Sequence, residues 1–273
     1  MKNPTISFIV VAYEEADRLA LCLSAIRRQL YPYYEIVVSD DGSPTSATKE
    51  VADAYNAHFV THPRSQLGGI PVRNIPVVAN QGTDCASGGL LCFLQADHII
   101  QPDYALWLAR CIGSDDIMFG LMDRRDDIAE DDLDALVRNI HLPDGAIRYD
   151  MFLNQGRRLL VEFDDWRLTD GFDFAMHRDR WIPMDERYIG PSHAILDAML
   201  NYRMNGLHYV LNPLMRLWHL EHPSREPAEL PAMMDASYKQ MQEKWGEEVW
   251  TSLMIPKLYD FRQVKKAMQE KIK

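Results

Sequence analysis

The chain is poor in cysteine, short of positive charge and without a long apolar run, and each shortage narrows what it does. Its four cysteines, Cys22, Cys85, Cys92 and Cys111, form no C-x-x-C pair, and three of them lie inside apolar runs. They read as reduced core thiols of a cytosolic protein, not as a disulfide frame or a zinc site. Twenty-nine Lys plus Arg against forty Asp plus Glu leave a formal charge of −11, which disfavours a broad grip on nucleic acid or anionic lipid. No segment reaches the ~18 apolar residues of a membrane span. The opening MKNPTISFIVVAYEE carries one lysine and too short an apolar run for a secretion signal. A soluble, cytoplasmic protein is expected. Neither Gly-x-Gly-x-x-Gly after the first strand nor Gly-Lys-Ser/Thr anywhere is present, which excludes the dinucleotide fingerprint and the P-loop.

What is there is enough hydrophobic sequence, 47% of 273 residues, to bury the core of one large α/β domain with a C-terminal appendage. The β-branched run Ile6 to Ala12 predicts a strand covered on both faces. Leu19, Cys22, Leu23, Ile26 and Leu30 form one apolar stripe, predicting a helix that begins near Glu14 and stops before Pro32. EIVVS is a second strand and SATKEVADAYNA a second helix, so the order is the βαβ alternation of a doubly wound sheet. Thr61 to Gln81, with its prolines and weak periodicity, reads as loop or short irregular elements. LLCFL is the next strand and DYALWLARCI the next helix. Asp115 to Asp150 is charged and irregular around a short acidic helix at EDDLDALVRNI, and the segments after Pro231 are helical.

Ligands of an open parallel sheet bind beyond the carboxyl ends of its strands. Asp40 and Asp41 follow the second strand there, and QADH (Gln95 to His98) follows LLCFL. Two acidic corners on one edge suit Mg²⁺ or Mn²⁺ bridged to a diphosphate, although Asp-Asp-Gly-Ser is also an ordinary turn.

These blocks resemble the inverting family-2 glycosyltransferases of the GT-A fold. SFIVVAYEEADRLALCLSAIRRQLYPYYEIVVSDDGSPTSAT is similar to that family's opening. ANQGTDCASGGLLCFLQADHIIQPD matches RNxGxxxAxGxxxxFLDxDDxxxPD without a gap at Asn80, Gly82, Ala86, Gly88, Phe93, Leu94, Asp97, Pro102 and Asp103. DGFDFAMHRDRWIPMDERYIG resembles the acceptor-side segment, and LWHLEHP the late histidine segment. The resemblance implies a Rossmann-like, mostly parallel sheet flanked by helices. Residues 1–225 would form the transferase domain (1–103 the nucleotide-binding half, 104–225 the acceptor half) and 226–273 a helical extension. It implies a nucleotide-sugar donor, UDP-linked by preference, held by Tyr13, Asp40, Asp41, Asn80, Gln95 and Ala96. Tyr13 and Asp41 would lie near the base and Asp40 near the base or ribose. It also implies Mn²⁺ or Mg²⁺ on Asp97 and His219, with His98 replacing a further common Asp and His222 competing with His219. The acceptor would be a glycan, a lipid-linked molecule or another hydroxyl compound.

The pattern breaks where the family places its catalytic carboxylate. GxGGEDxDxxxR aligns with PSHAILDAMLNYRMNG, which sets Ala194 and Ile195 at the Glu-Asp pair. The general base then falls to His193, to Asp197 one turn later, or to Asp170 or Asp173; otherwise the chain is a non-catalytic sugar-nucleotide binder or scaffold. Ala79 stands in place of the usual Arg before Asn80, with Arg64, Arg73 or Arg216 available to compensate. A transferase acting on modified DNA is disfavoured by the acidic charge, and a nucleotidyltransferase by the lack of a Gly-rich basic loop after the first strand. Phe261, Val264, Met268 and Ile272 form a stripe in a basic tail, which fits packing on the domain or peripheral contact with an anionic membrane.

Overall fold

The structure is a computed structural model that describes residues 3–125, 160–163, 172–189, 193–220 and 230–246. The acidic helix of the 115–150 segment, the tail stripe, Asp170 and His222 lie outside them.

The apolar runs become strands β1 (Ile6–Ala12), β2 (Tyr34–Asp40) and β6 (Leu90–Gln95), and β1 is buried along its whole length. β1 pairs in parallel with β2 on one side and β6 on the other, and β3 (His58–Thr61) extends the sheet beside β2. Helices α1 (Ala16–Arg27) and α2 (Ala47–Ala54) connect β1 to β2 and β2 to β3, and α4 (Tyr104–Cys111) comes after β6 in the chain. Leu19, Cys22, Leu23 and Ile26 of α1 are buried as the stripe predicts, whereas Leu30 lies beyond the helix and is exposed.

On the far side of β6 the sheet turns antiparallel through β10 (Phe174–His177). It continues through β8 (Asp116–Arg125) and β11 (His208–Leu220) to β7 (His98–Ile100), with β9 (Val161–Phe163) also on β11. β11 carries Pro213 and shifts register against β8 between Asn212 and Arg216; a bulge is where a strand accommodates proline.

Thr61 to Gln81 is more regular than its composition predicts. It contains a two-stranded hairpin, β4 (Ser65–Leu67) with β5 (Ile70–Val72), and most of helix α3 (Ile75–Cys85). The Asn74 side chain caps α3 by accepting from Val77 N, with proline in the first turn, a start signal that stands in the sequence. At the other end the Arg178 guanidinium donates to the Thr83 and Ala86 carbonyls. α3 lies so close to the sheet that a Cβ on Gly82 would stand 2.5 Å from Ile9, so burial of Ile75, Val78 and Ala79 overrides the poor helix propensity of this segment.

Two further helices complete the described chain: α5 (His193–Met204) and α6 (Leu230–Trp245). α5 has two buried faces. Ile195, Ala198, Met199 and Tyr202 join the core under the sheet, and Ala194 and Leu196 pack with Tyr188 and with Met241 of α6.

Candidate active site

Strand register brings the predicted site residues to one edge. Ala12, the last residue of β1, stands opposite Asp40 of β2, and Val11 opposite Gln95 of β6. The ladder continues one residue past the strands, with Asp41 N donating to Ala12 O at 2.9 Å and Ala96 N to Val11 O at 3.0 Å. Tyr13, Asp41 and Ala96-Asp97 therefore leave three adjacent strands at the same level.

At the first corner Asp40 holds the turn itself. Its carboxylate accepts from Ser43 N, Ser43 Oγ and Thr61 Oγ1 at 2.5 to 2.8 Å. Gly42 takes φ +72°, and a Cβ there would meet the His62 carbonyl at 2.6 Å and Arg64 N at 2.9 Å, so the DDG turn requires glycine. Asp41 is 2% exposed and accepts two hydrogen bonds from Arg64, from Nε at 3.2 Å and Nη2 at 3.1 Å. Burial raises its carboxyl above the usual range, and Arg64 opposes that rise. Arg64 also stacks on Tyr13, with its guanidinium carbon 3.5 Å from the ring centroid.

At the second corner two histidines from distant parts of the chain meet by strand pairing. In the β11–β7 ladder His219 is the direct partner of His98, and Leu220 N donates to Asp97 O. His219 Nε2 lies 3.1 Å from Asp97 Oδ2 and His98 Nε2 3.8 Å from Asp97 Oδ1. The three side chains offer ligand atoms within 4.8 Å of one another, a carboxylate and imidazole set that fits a divalent cation such as Mn²⁺. His98 is a fully buried strand residue, not part of an exposed loop. Its Nδ1 accepts from Gln95 N at 3.3 Å, and its Nε2 lies 3.3 Å from the Gln95 carboxamide nitrogen. Asp97 and His219 make the shortest contact of the cluster, and His98 stands beside them. Gln95 contacts His98 through both its backbone and its carboxamide.

Other predicted residues are engaged elsewhere. Asn80, on α3, grips the loop before α5: its amide donates to Met184 O and Glu186 Oε1, and its oxygen accepts from Met184 N, each at 2.9 Å. Ala79 is buried in the core. Asp173 is buried at the start of β10. His193 opens α5 and is 8% exposed, and burial lowers its imidazole pKa. Ile195 is a core residue beside it.

Asp197 is enclosed by donors. Tyr188 OH at 3.2 Å and Trp245 Nε1 at 2.7 Å reach Oδ1, and Lys244 Nζ at 2.8 Å reaches Oδ2. Ser237 Oγ of α6 donates to Ile189 O, and Lys244 also approaches Asp185 at 3.5 Å. Sequence reasoning missed this latch because two of its donors, Lys244 and Trp245, come from the segment assigned to a separate extension.

Asp185 gives the latch a pH dependence. Hydrogen bonds from Arg187 lower its carboxyl to about 2; burial opposes this, and Lys244 assists. The folded value lies below the unfolded ~3.9, so this stabilisation is complete above about pH 4 and is lost as pH falls toward 2. Acid titration followed by near-UV circular dichroism should show that loss, and Asp185→Asn should flatten it; an unchanged acid limb in the variant contradicts the assignment.

Residues 7–112 match the family profile described as glycosyl transferase family 2. The glycosyltransferase AglE of Haloferax volcanii is 31% identical over 162 residues, 55% of this chain and 46% of its own length. The chain thus spans less than half the length of the curated relatives it matches. Among solved structures, GalNAc-T7 with UDP, GalNAc and Mn²⁺ superposes over 98% of this chain and 55% of its own, with a TM-score of 0.59 and 15% identity. Glucosyl-3-phosphoglycerate synthase of Mycobacterium tuberculosis, solved with Mn²⁺, UDP and glucosyl-3-phosphoglycerate, covers 89% of this chain and 80% of its own, with a TM-score of 0.54 and 18% identity. The fold of the chain is therefore GT-A-like. Among the described residues no helix is long and apolar enough to cross a membrane.

Proposed function

We propose that this protein is a divalent-metal-dependent glycosyltransferase that moves a sugar, with inversion, from a nucleotide-diphospho-sugar to an acceptor hydroxyl. The observation that carries this is the convergence of two corners on one sheet edge: Tyr13 and Asp41 beside Asp97 and His219. Stacking on Tyr13 and hydrogen bonding to Asp41 suit a nucleobase. Asp97 and His219 would hold Mn²⁺ or Mg²⁺, which supplies charge stabilisation to the leaving diphosphate, and the buried imidazole of His98 stands beside them as a third ligand or as a donor to the same charge. UDP is the favoured nucleotide because both solved neighbours described above were crystallised with it. The acceptor is a glycan, a lipid-linked molecule or another hydroxyl compound. The test is release of UDP or GDP from a panel of nucleotide sugars, with Mn²⁺ and with chelator; release independent of metal contradicts the proposal.

His193 is the base in this reading. Its burial keeps the imidazole neutral, and so able to accept a proton, to lower pH than usual. His193→Gln is expected to reduce turnover by about 10²- to 10⁴-fold with nucleotide affinity retained. The acid limb of the parent's pH–rate profile should lie below the ordinary imidazole value; unchanged turnover in the variant transfers the role elsewhere. A second reading, a sugar-nucleotide binder without turnover, draws support from Ile195 at the carboxylate position and Asp197 inside its latch. It predicts donor binding in calorimetry and no metal-dependent release.

A further inference from the structure

The first corner contains a group that the proposed reaction does not use. Arg64 lies just beyond β3, and its guanidinium covers the Tyr13 ring at 3.5 Å while Nε and Nη2 point edge-on at Asp41 Oδ2. A guanidinium is a flat, delocalised plate with N–H donors in its plane, which stacks on aromatic rings and forks carboxylates. A nucleobase presents the same two features, a flat face for stacking and in-plane N–H groups for an acceptor.

We propose that Arg64 is an internal surrogate of the nucleobase. It fills the base slot between Tyr13 and Asp41, and the arriving donor nucleotide displaces it from both. This rests on the assignment of Tyr13 and Asp41 to the base made above.

Two further observations support displacement over a shared site. Asp41 Oδ1 and His62 Nε2 are buried, have no hydrogen-bond partner among the described residues, and lie 3.7 Å apart. Because His62 Nδ1 lies 2.8 Å from the Pro63 carbonyl, that nitrogen is the ring's donor and Nε2 its acceptor. Asp41 Oδ1 is closed in beside His62, so an N–H of an incoming base must take Oδ2, the oxygen that Arg64 occupies. Second, the backbone under Arg64 is tightly packed: a Cβ on Gly42 would stand 2.6 Å from His62 O and 2.9 Å from Arg64 N. The exchange is therefore a swing of the Arg64 side chain, which is 18% exposed, and not a movement of the strand end.

A protein that must open before it binds loses affinity in proportion to its open fraction. Removing the surrogate should therefore tighten nucleotide binding. Calorimetry with UDP and Mn²⁺, repeated with GDP and Mn²⁺, is expected to show about tenfold stronger binding by Arg64→Ala than by the parent for whichever nucleotide the parent binds. Arg64→Lys, which keeps the charge beside Asp41 but loses the flat stack, should fall between them. Weaker binding by Arg64→Ala would make Arg64 a nucleotide ligand and overturn the proposal while leaving the proposed function intact. Absence of binding of either nucleotide by the parent would overturn both. A readout on the parent removes dependence on variant folding. The Arg64 Nε–H resonance, assigned by its absence from Arg64→Lys, should be protected from exchange in the free protein and lose that protection at saturating UDP or GDP, whichever binds. Retained protection would show that the guanidinium never leaves Asp41.

Discussion

Asp97→Ala is expected to lower Mn²⁺ affinity by more than about 100-fold and to abolish metal-dependent release of the nucleotide. The lower bound follows because disturbing the outer partners of a metal ligand alone weakens affinity by roughly 10- to 100-fold, and Asp97 is the only carboxylate in the cluster. His219 Nε2 and Asp97 Oδ2 lie 3.1 Å apart, so the variant also leaves His219 without the oxygen that orients it. Manganese titration by electron paramagnetic resonance, with and without UDP, measures the effect. Affinity within a few-fold of the parent would remove Asp97 from the site. His98→Gln separates its two candidate roles: an N–H donor to the diphosphate predicts a smaller loss of metal affinity than Asp97→Ala, whereas an equal loss would make His98 a ligand.

Asp197→Ala is expected to destabilise the fold by about 3 kcal/mol, near the lower end for breaking a buried charge pair by removing one partner. The variant leaves Lys244, the Trp245 indole N–H and the Tyr188 hydroxyl without their common acceptor. For a chain of this size that corresponds to a fall in Tm of roughly 6 to 12 °C. Asp197→Asn retains an oxygen for Trp245 and should lose less. Thermal denaturation with parallel turnover measurement distinguishes the latch from the alternative in which Asp197 is the base. Lost turnover at unchanged stability would assign it to chemistry; lost stability with residual turnover assigns it to holding α5 against α6.

The parallel half of the fold was legible because burial on both faces writes itself into the sequence as near-continuous apolar runs, at Ile6 to Ala12 and Leu90 to Leu94. The strand-end corners were legible as well, since Asp41 stands directly past β2 and Asp97 two residues past β6. What escaped depends on contacts remote in sequence. α3 was hidden by Pro76, Gly82 and a β-branched stretch; only its packing on Ile9 and Ser39 makes it a helix. β10 and β11 take their places by antiparallel pairing with β6 and β7, so the burial of His98 is set by a partner 121 residues later. Asp197 looked like a spare carboxylate on a helix because Lys244 and Trp245 come 47 and 48 residues after it. Arg64 was readable as a compensating cation but not as a plate on Tyr13, since no spacing rule connects positions 13 and 64.

The central claim, that this sheet edge is a metal-assisted nucleotide site, is tested most directly by calorimetry. UDP, GDP, CDP and dTDP are titrated in turn into the parent and Asp97→Ala, each with and without Mn²⁺. The account predicts that the parent binds one nucleotide, UDP by preference, in a Mn²⁺-dependent manner that Asp97→Ala loses. Failure of all four nucleotides to bind the folded parent, with or without Mn²⁺, would contradict it.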